Sequence, residues 1–400
     1  MSATATAQSF GRSRAAVTAT FAAHALVAGS VGPWIPRLKA ESDLDAAGLG
    51  LALTGYAVGL VLGTRLAGPA LRWAGGRRVV RGGIPLFAAG LAALPFAEGL
   101  NALTAAFAAL GLASGLLDVA MNTEVVAVEQ RFDRRIMSMM HGTWSVAMLA
   151  GAVIASAALA AGISIRLALP LVAALLVAGS FPMLRWLPSP HEARSELAEG
   201  TIFVGGRSRT GRVILLCFVG FGAFLTEGVA AEWSAVYLNE SVGAGLATAG
   251  LGVVAFSVGM TISRFTADRL SIRFDPTLLV RVGTTVAAAS LLTAVVVNEV
   301  IVAMAALTLI GLFVGPAVPL AFRAAGSLVL GPGRTALGLV VTAGYVGSIV
   351  GPLAVGFTAD QVGLRTAFAI PAATCLLAAV GASALREERS GRPDPSRAPG

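Results

Sequence analysis

Apolar residues fall into long runs along the chain, and short charged segments separate them. Each run approaches the roughly 20 residues that an α-helix needs to cross a bilayer. The runs lack the alternation of apolar and polar residues that barrel strands show, and they are too long for such strands. The pattern predicts an all-α integral membrane protein with twelve transmembrane helices, at 15–38, 47–71, 79–98, 102–127, 138–162, 165–187, 212–239, 246–270, 277–297, 299–324, 335–359 and 363–386.

Composition supports lipid rather than water as the solvent. The chain is 56% hydrophobic and 12% charged, with a mean hydropathy of +0.81, whereas soluble domains carry about 25% charged residues. The net charge of +8 comes from basic residues that flank the apolar runs, so we expect no nucleic-acid partner. Cys217 and Cys375 fall in predicted spans without a CxxC pair, so we expect no disulfide framework and no metal site.

The arginine residues orient the predicted spans. The basic residues cluster at alternate connections, and only Arg37, Lys39, Arg166 and Arg365 fall on the opposite side. The positive-inside rule then places both termini in the cytoplasm. We expect a monomer in the plasma (bacterial inner) membrane, with the lipid bilayer as its surroundings. The predicted division is a cytoplasmic N-terminus at 1–14, a six-helix bundle at 15–187, a cytoplasmic linker at 188–211, a second six-helix bundle at 212–386 and a disordered cytoplasmic tail at 387–400.

The two predicted bundles share an internal repeat. The string "GLASG" at 111–115 matches "GLFVG" at 311–315, and "YAVGL" at 56–60 matches "FSVGM" at 256–260. A duplicated unit whose copies enclose a central cavity is typical of alternating-access transporters. A duplicated bundle with no transport role is the alternative.

Two longer segments resemble one branch of a known family. The strings "LLDVAMNTEVVAVEQRFDRRIMSMMHGTWS" (116–145) and "EGVAAEWSAVYL" (227–238) are similar to the fucose-permease-related branch of the major facilitator superfamily, and the resemblance covers about residues 13–386. It implies the fold of that family, with two pseudo-symmetric bundles of six helices, and secondary transport of a solute. It also implies a proton-coupling acid in the fourth helix. The second acid of these relatives, in the first helix, is missing here, where His24 is present instead.

The chain departs from the superfamily's loop motif between the second and third helices. That loop, "GPALRWAGGRR" (68–78), keeps its arginines but has no acid, whereas the second half reads "SRFTADRL" (263–270). The resemblance therefore implies a cytoplasmic gate that contains Asp268, Arg323, Arg65 and Arg264. A solvated turn charge is the alternative for the acid, and arginine side chains that extend to the lipid interface are the alternative for the repeat-related arginines of helices 2 and 8.

An acid stands within the predicted helix 102–127. Gly111, Gly115, Asp118 and Asn122 share one helix face, because they follow one another at steps of three or four residues. A charge at the bilayer centre costs about 2.5–3.5 kcal/mol on insertion scales, so this face contacts protein or water rather than lipid. We predict that Asp118 carries a coupling proton. A structural hydrogen bond between helices is the alternative.

The predicted helix 212–239 supplies acids from the second half. Glu227 lies near its middle and is predicted to line the cavity and to take part in proton coupling, while Glu232 is predicted to pair with Arg37 or Lys39. The full set of predicted cavity residues is His24, Trp34, Asn122, His141, Trp144, Glu227 and Trp233. A polar contact between helices is the alternative for the histidines. Anchoring at the membrane interface is the alternative for Trp34 and Trp233.

These residues together predict a proton-linked secondary transporter of a small organic solute, sugar-like or another metabolite. An efflux pump, acting as a proton antiporter for an apolar or cationic compound, is the alternative, because two cavity carboxylates suit a cation. A transporter-derived membrane sensor is a further alternative. The chain lacks H-E-x-x-H and G-x-S-x-G motifs, and "GPGRTAL" (331–337) lacks the lysine of a phosphate-binding loop. We therefore expect neither an enzyme nor ATP use, and no cofactor apart from the proton as coupling ion.

Overall fold

The computed structural model of the chain describes residues 3–187, 207–326, 328 and 336–386. Within these residues the chain is helical, without a strand. Most of the predicted linker and the whole predicted tail lie outside the described residues. The prediction of twelve membrane-spanning helices is confirmed for the described part of the chain. In order they are α1 (Gln8–Glu41), α2 (Ala46–Ala74), α3 (Gly76–Phe96), α4 (Gly99–Phe132), α5 (Met137–Ala160), α6 (Ile165–Trp186), α7 (Thr210–Ser241), α8 (Leu246–Ala267), α9 (Pro276–Val297), α10 (Val300–Gly326), α11 (Ala336–Val362) and α12 (Leu364–Leu385).

Helical structure extends beyond the predicted spans at two points. The first helix already begins at Ala3, inside the predicted N-terminal segment, and the helix that contains α7 begins at Arg207, inside the predicted linker. Short connections join consecutive spans within each half, so neighbouring spans run in opposite directions. With an even number of spans, the start of α1 and the end of α12 lie on the same side of the protein. We call this side the terminal face and the opposite side the distal face.

Glycine residues let helices within each half approach closely, and the contacts recur in both halves. A Cβ atom on Gly111 of α4 would overlap the backbone carbonyl oxygen of Tyr56 in α2. A Cβ atom on Gly311 of α10 would likewise overlap the carbonyl oxygen of Phe256 in α8. The pairs α2–α4 and α8–α10 therefore pack in the same way, which confirms the two pseudo-symmetric bundles predicted from the repeat.

The two bundles meet along α2 and α11 and along α5 and α8. Near the distal face, Gly50 of α2 packs against the backbone of Pro352, and a Cβ atom on Gly356 of α11 would lie 2.6 Å from the carbonyl oxygen of Ala46. Such contacts leave no room for a side chain between the helices. The halves are therefore closed against each other at the distal face.

An ion pair joins the two bundles at the same face. Lys39, near the end of α1, donates from Nζ to both carboxylate oxygens of Glu240 in α7, each at 2.7 Å. Glu240 belongs to a π-helical turn, Tyr237–Ser241, which ends α7. The Lys39 side chain is only 12% exposed, so this pair is screened less by solvent than a free surface pair.

We expect Gly59→Ala to destabilise the protein by about 1–3 kcal/mol, the range for overpacked cores. The added Cβ atom would overlap the carbonyl oxygen of Ala108 in α4. The measurement is the thermal unfolding midpoint in detergent. Gly82→Ala is the matched control, because a Cβ atom at this α3 position meets nothing within 4 Å and alanine is the better helix former. Equal losses in both variants would contradict this account of the packing.

We expect Lys39→Glu to open the distal face, because two carboxylates would then repel each other across the bundles. Spin labels at Ala161 and Val296, which lie at the distal ends of opposite halves, report the separation. Relative to wild type, a more distant population should grow by a factor of about five, for an effect on the order of 1 kcal/mol. The exchange Lys39→Glu with Glu240→Lys should restore the original distances.

The matched control for this measurement is an ion pair within one bundle. Arg166 and Glu98 lie 3.1 Å apart, and both belong to the first half. Arg166→Glu should therefore leave the distance between the labels unchanged. The interpretation of the Lys39–Glu240 pair fails if Lys39→Glu gives the wild-type distances, or if the charge exchange does not restore them.

Candidate solute and proton site

The face of α4 that carries Asp118 lies against α2. A Cβ atom on Gly115 would overlap the carbonyl oxygen of Leu60, so the α2 backbone runs directly beside this face. Asp118 and Asn122 follow on the same face, and both are half-buried. The Asn122 amide donates to the backbone carbonyl of Asp118 at 2.9 Å and to its carboxylate at 3.4 Å. The glycine spacing thus places the acid at a helix contact, where it keeps part of its accessible surface.

One turn before Asp118, Ser114 forms the centre of a hydrogen-bond network. Its hydroxyl oxygen lies 3.0 Å from Nε2 of His24 in α1 and 3.1 Å from the hydroxyl of Tyr56 in α2. The other imidazole nitrogen, Nδ1, accepts the indole N–H of Trp144 in α5 at 3.0 Å. The network therefore ties α1, α2, α4 and α5 together beside the acid.

The Asp118 carboxylate acts on polar groups of both halves. It interacts electrostatically with His24 and Tyr56 of the first half and with Tyr345 in α11 of the second half. Tyr345 also interacts with the side chain of Thr64 in α2. Asp118 therefore lies near the boundary between the bundles, where α11 meets the α2–α4 pair.

A cation from the second half lies over Trp144. The guanidinium carbon of Arg264 in α8 is 5.7 Å from the centre of the Trp144 ring system, within the range of a cation–π interaction. The Arg264 charge also acts on His141 of α5, which is exposed, and on Glu227 of α7. The arginine thus connects the aromatic wall of the first half with an acid of the second half.

The structure does not bring the four predicted gate residues together into one described group. Arg65 in α2 interacts electrostatically with Tyr345, so each repeat-related arginine, Arg65 and Arg264, acts on an aromatic side chain of the other half. Arg323 is exposed near the end of α10. The side chain of Asp268 lies outside the described part of the structure. The gate, and the pair of Asp268 with Arg323 within it, stay predictions.

The two acids of α7 are both half-buried. Glu227 lies within reach of the Arg264 charge. Glu232 interacts electrostatically with Tyr56 across the boundary between the bundles. Its Oε2 atom is buried and has no hydrogen-bond partner among the described residues. Among those residues, moreover, no group of acids, histidines and cysteines could hold a metal ion.

The predicted ion pair of Glu232 is wrong. Arg37 donates from Nε to Glu41, one helical turn later, at 2.7 Å, and Lys39 binds Glu240. Glu232 precedes Glu240 by eight residues, so it lies about 12 Å deeper along the helix axis. It is therefore too far from the distal face for either basic side chain.

Trp34 and Trp233 lie in the buried core rather than at the lipid interface. They are 2% and 0% exposed, respectively. Anchoring at the membrane interface is therefore excluded for both residues in this conformation. Neither presents a surface that a solute could contact, so the structure does not bring these two predicted residues into the site.

Sequence reasoning missed Ser114, Tyr56 and Tyr345. A serine or tyrosine in an apolar helix is common, and its role depends on which helices meet. A comparison of the two halves provides a signal that could have identified the first two. At an offset of 200 residues, Ser114 corresponds to Val314 and Tyr56 to Phe256, so the first half carries hydroxyl groups where the second half does not.

Comparison with known proteins agrees with this architecture. The family model of the Major Facilitator Superfamily matches residues 17–230 and 216–400. An MFS-type transporter of Yersinia pestis is 31% identical over 357 residues, which cover 88% of this chain and 90% of the relative. The membrane protein MosC of Rhizobium meliloti is 28% identical, over 95% of this chain and 92% of its own.

Solved structures show the same fold. The nucleoside transporter NupG superposes with a TM-score of 0.69 at 13% identity, covering 94% of this chain and 98% of its own. A variant of NupG superposes with a TM-score of 0.71 at 14% identity, covering 94% of this chain and 100% of its own. With the matched family model and the twelve helices in two bundles, these findings establish that the chain belongs to the Major Facilitator Superfamily.

Proposed function

We propose that this secondary transporter moves a small organic solute, sugar-like or another metabolite, by alternating access and in a proton-linked manner. Asp118 takes and releases the coupling proton. The protein is placed in the plasma (bacterial inner) membrane with the terminal face toward the cytoplasm, in accord with the arginine distribution. In the described conformation the distal face is closed, so the central site is not open to that side.

The position of Asp118 carries this proposal. The acid lies within a membrane-spanning helix, near the boundary between the two bundles. Alternating access would move these bundles against each other. A carboxylate charge in this environment is costly unless it is solvated or neutralised. Binding a proton removes the charge. The proton state of Asp118 can therefore favour one arrangement of the bundles over the other, which is what coupling requires.

Neighbouring groups support this role. Asn122 donates to the Asp118 carboxylate and backbone and so restricts the side chain. Arg264 acts on both Glu227 and His141, one from each half. We assign Glu227 a proton-linked role in addition to that of Asp118. Arg264 can compensate the Glu227 charge in one conformation and can lie too far away to do so in another. His141, Asn122 and Glu227 then face the solute.

Efflux of a cationic compound is the second candidate function. The observation that favours it is the number of acids near the boundary between the bundles. Asp118, Glu227 and Glu232 are all half-buried, and the Arg264 charge acts on one of them, Glu227. A cationic solute would balance these charges. Deletion of the gene should then increase the sensitivity of cells to such compounds. If the protein is an uptake system, deletion should instead impair growth on its solute.

The test begins with a solute screen by thermal shift on the purified protein. Sugars, nucleosides and organic cations belong in the screen, the nucleosides because the fold neighbour NupG is a nucleoside transporter. A stabilising solute is then used in proteoliposomes under an imposed pH gradient. One pH unit is worth about 1.4 kcal/mol for each proton, which supports about tenfold accumulation of the solute.

We expect Asp118→Asn to abolish accumulation driven by the pH gradient. Exchange of labelled for unlabelled solute without a gradient should continue, because exchange does not require net proton movement. Glu98→Gln is the control, since this acid is exposed near the distal face, and it should accumulate solute like the wild type. Accumulation by Asp118→Asn that still follows the pH gradient would rule out Asp118 as the carrier of the proton.

A further inference from the structure

The hydrogen bonds of His24 define which of its nitrogens carries a proton. The indole nitrogen of Trp144 can only donate, and it lies 3.0 Å from Nδ1 of His24. Nδ1 must therefore accept and cannot carry a proton. A neutral imidazole then has its proton on Nε2, which lies 3.0 Å from the Ser114 hydroxyl oxygen and donates to it. Both nitrogens are fully used in this state.

The surroundings of His24 leave no place for a second proton. The ring is 5% exposed and stacks on Phe87 of α3, with 5.1 Å between the ring centres. A proton added at Nδ1 would face the indole N–H of Trp144, donor against donor, and would break that bond. The imidazolium would then be buried with one N–H group unpaired.

The charged and titratable groups around His24 come from several helices. Asp118 of α4 is the acid that acts on His24, and its charge favours a second proton. From α2, Tyr56 reaches His24 only through Ser114. His141 of α5 is exposed and contacts Phe21 rather than His24. On α1 itself, and on α3 and α6, the basic residues lie toward the helix ends. The Asp118 charge thus favours a second proton on His24, whereas the hydrogen bond from Trp144 occupies the nitrogen that would take it.

We propose that His24 is a positioning residue, held as the neutral, Nε2-protonated tautomer, that fixes the Trp144 indole as a rigid wall of the central site. It neither contacts the solute nor carries the coupling proton. The fixed indole presents the face over which Arg264 lies at 5.7 Å. The proposal differs from the sequence-based expectation that His24 lines the cavity. It does not depend on which solute is moved or on whether Asp118 carries a proton, so it can fail independently of the proposed function.

Nitrogen-15 NMR of the full-length protein in detergent or nanodiscs tests the tautomer directly. The chain has only three histidines, His24, His141 and His191, so imidazole labelling gives few signals, and His24→Gln identifies those of His24. Between about pH 5 and 8, the range in which histidine normally titrates, we expect a protonated Nε2 signal and an unprotonated Nδ1 signal that do not move. Signals of His24 that titrate in this range, or that report a protonated Nδ1, would overturn the proposal.

Variants of the two partners test whether the bond holds Trp144. The five tryptophans give five indole N–H signals, and Trp144→Phe identifies that of Trp144. His24→Gln keeps an acceptor and a donor, so it should preserve slow exchange of the Trp144 indole proton with deuterated solvent. His24→Leu keeps the bulk but has no acceptor, and the exchange should become at least about tenfold faster, which corresponds to about 1.4 kcal/mol. Equal exchange rates in the two variants would overturn the proposal.

Trp144→Phe supplies the reciprocal measurement. Without the indole N–H, no donor holds Nδ1 of His24 as the acceptor, so part of the population should carry its single proton on Nδ1 instead of Nε2. The two nitrogen signals of His24 should then shift from the values of the wild type toward those of a mixture of tautomers. Unchanged His24 signals in this variant would show that Trp144 does not hold the tautomer. If His24→Leu does not fold, the wild-type titration and Trp144→Phe decide the question.

Discussion

The hydrocarbon core of a bilayer contains no water to satisfy a polar group, and this constraint organises the molecule from its sequence to its site. The backbone meets it by forming twelve helices. Glycine residues then allow the helix backbones to touch, and the polar side chains of the site lie where helices meet. Ser114 and Asp118, one turn apart on α4, both occupy such a surface. The location of the site thus follows from the cost of exposing these polar groups to lipid.

The scaffold is symmetric and its chemistry is not. Gly111 and Gly311 make equivalent contacts in the two halves. Ser114 and Asp118 of the first half, by contrast, correspond to the apolar residues Val314 and Val318 of the second. Symmetric packing allows the bundles to rock against each other. In the proposed mechanism, the asymmetric polar groups give the two arrangements different energies when a proton or solute binds. We infer that the duplicated scaffold supplies the motion and that side chains without a counterpart in the other half supply the coupling chemistry.

The hydrophobic pattern was sufficient to predict the helices, because each span must be apolar over nearly its whole length. The spacing of Gly111, Gly115 and Asp118 was likewise sufficient to predict their common face, since this depends only on helix geometry. Contacts between helices could not be predicted in this way. Glu232 was expected to meet Arg37 or Lys39. Arg37 instead binds Glu41, and Lys39 binds Glu240, which follows in a π-helical turn at the end of α7. Such a pairing depends on helix rotation and depth, which the sequence pattern does not define.

In the proposed mechanism, Asp118 gains and loses a proton while it remains inside the protein. Infrared difference spectroscopy between low and high pH measures this directly, because a protonated carboxyl group has its own C=O stretching band. We predict that the wild-type difference spectrum contains a component that Asp118→Asn removes and that Glu98→Gln leaves in place. A difference spectrum that is the same in Asp118→Asn and in the wild type would contradict it.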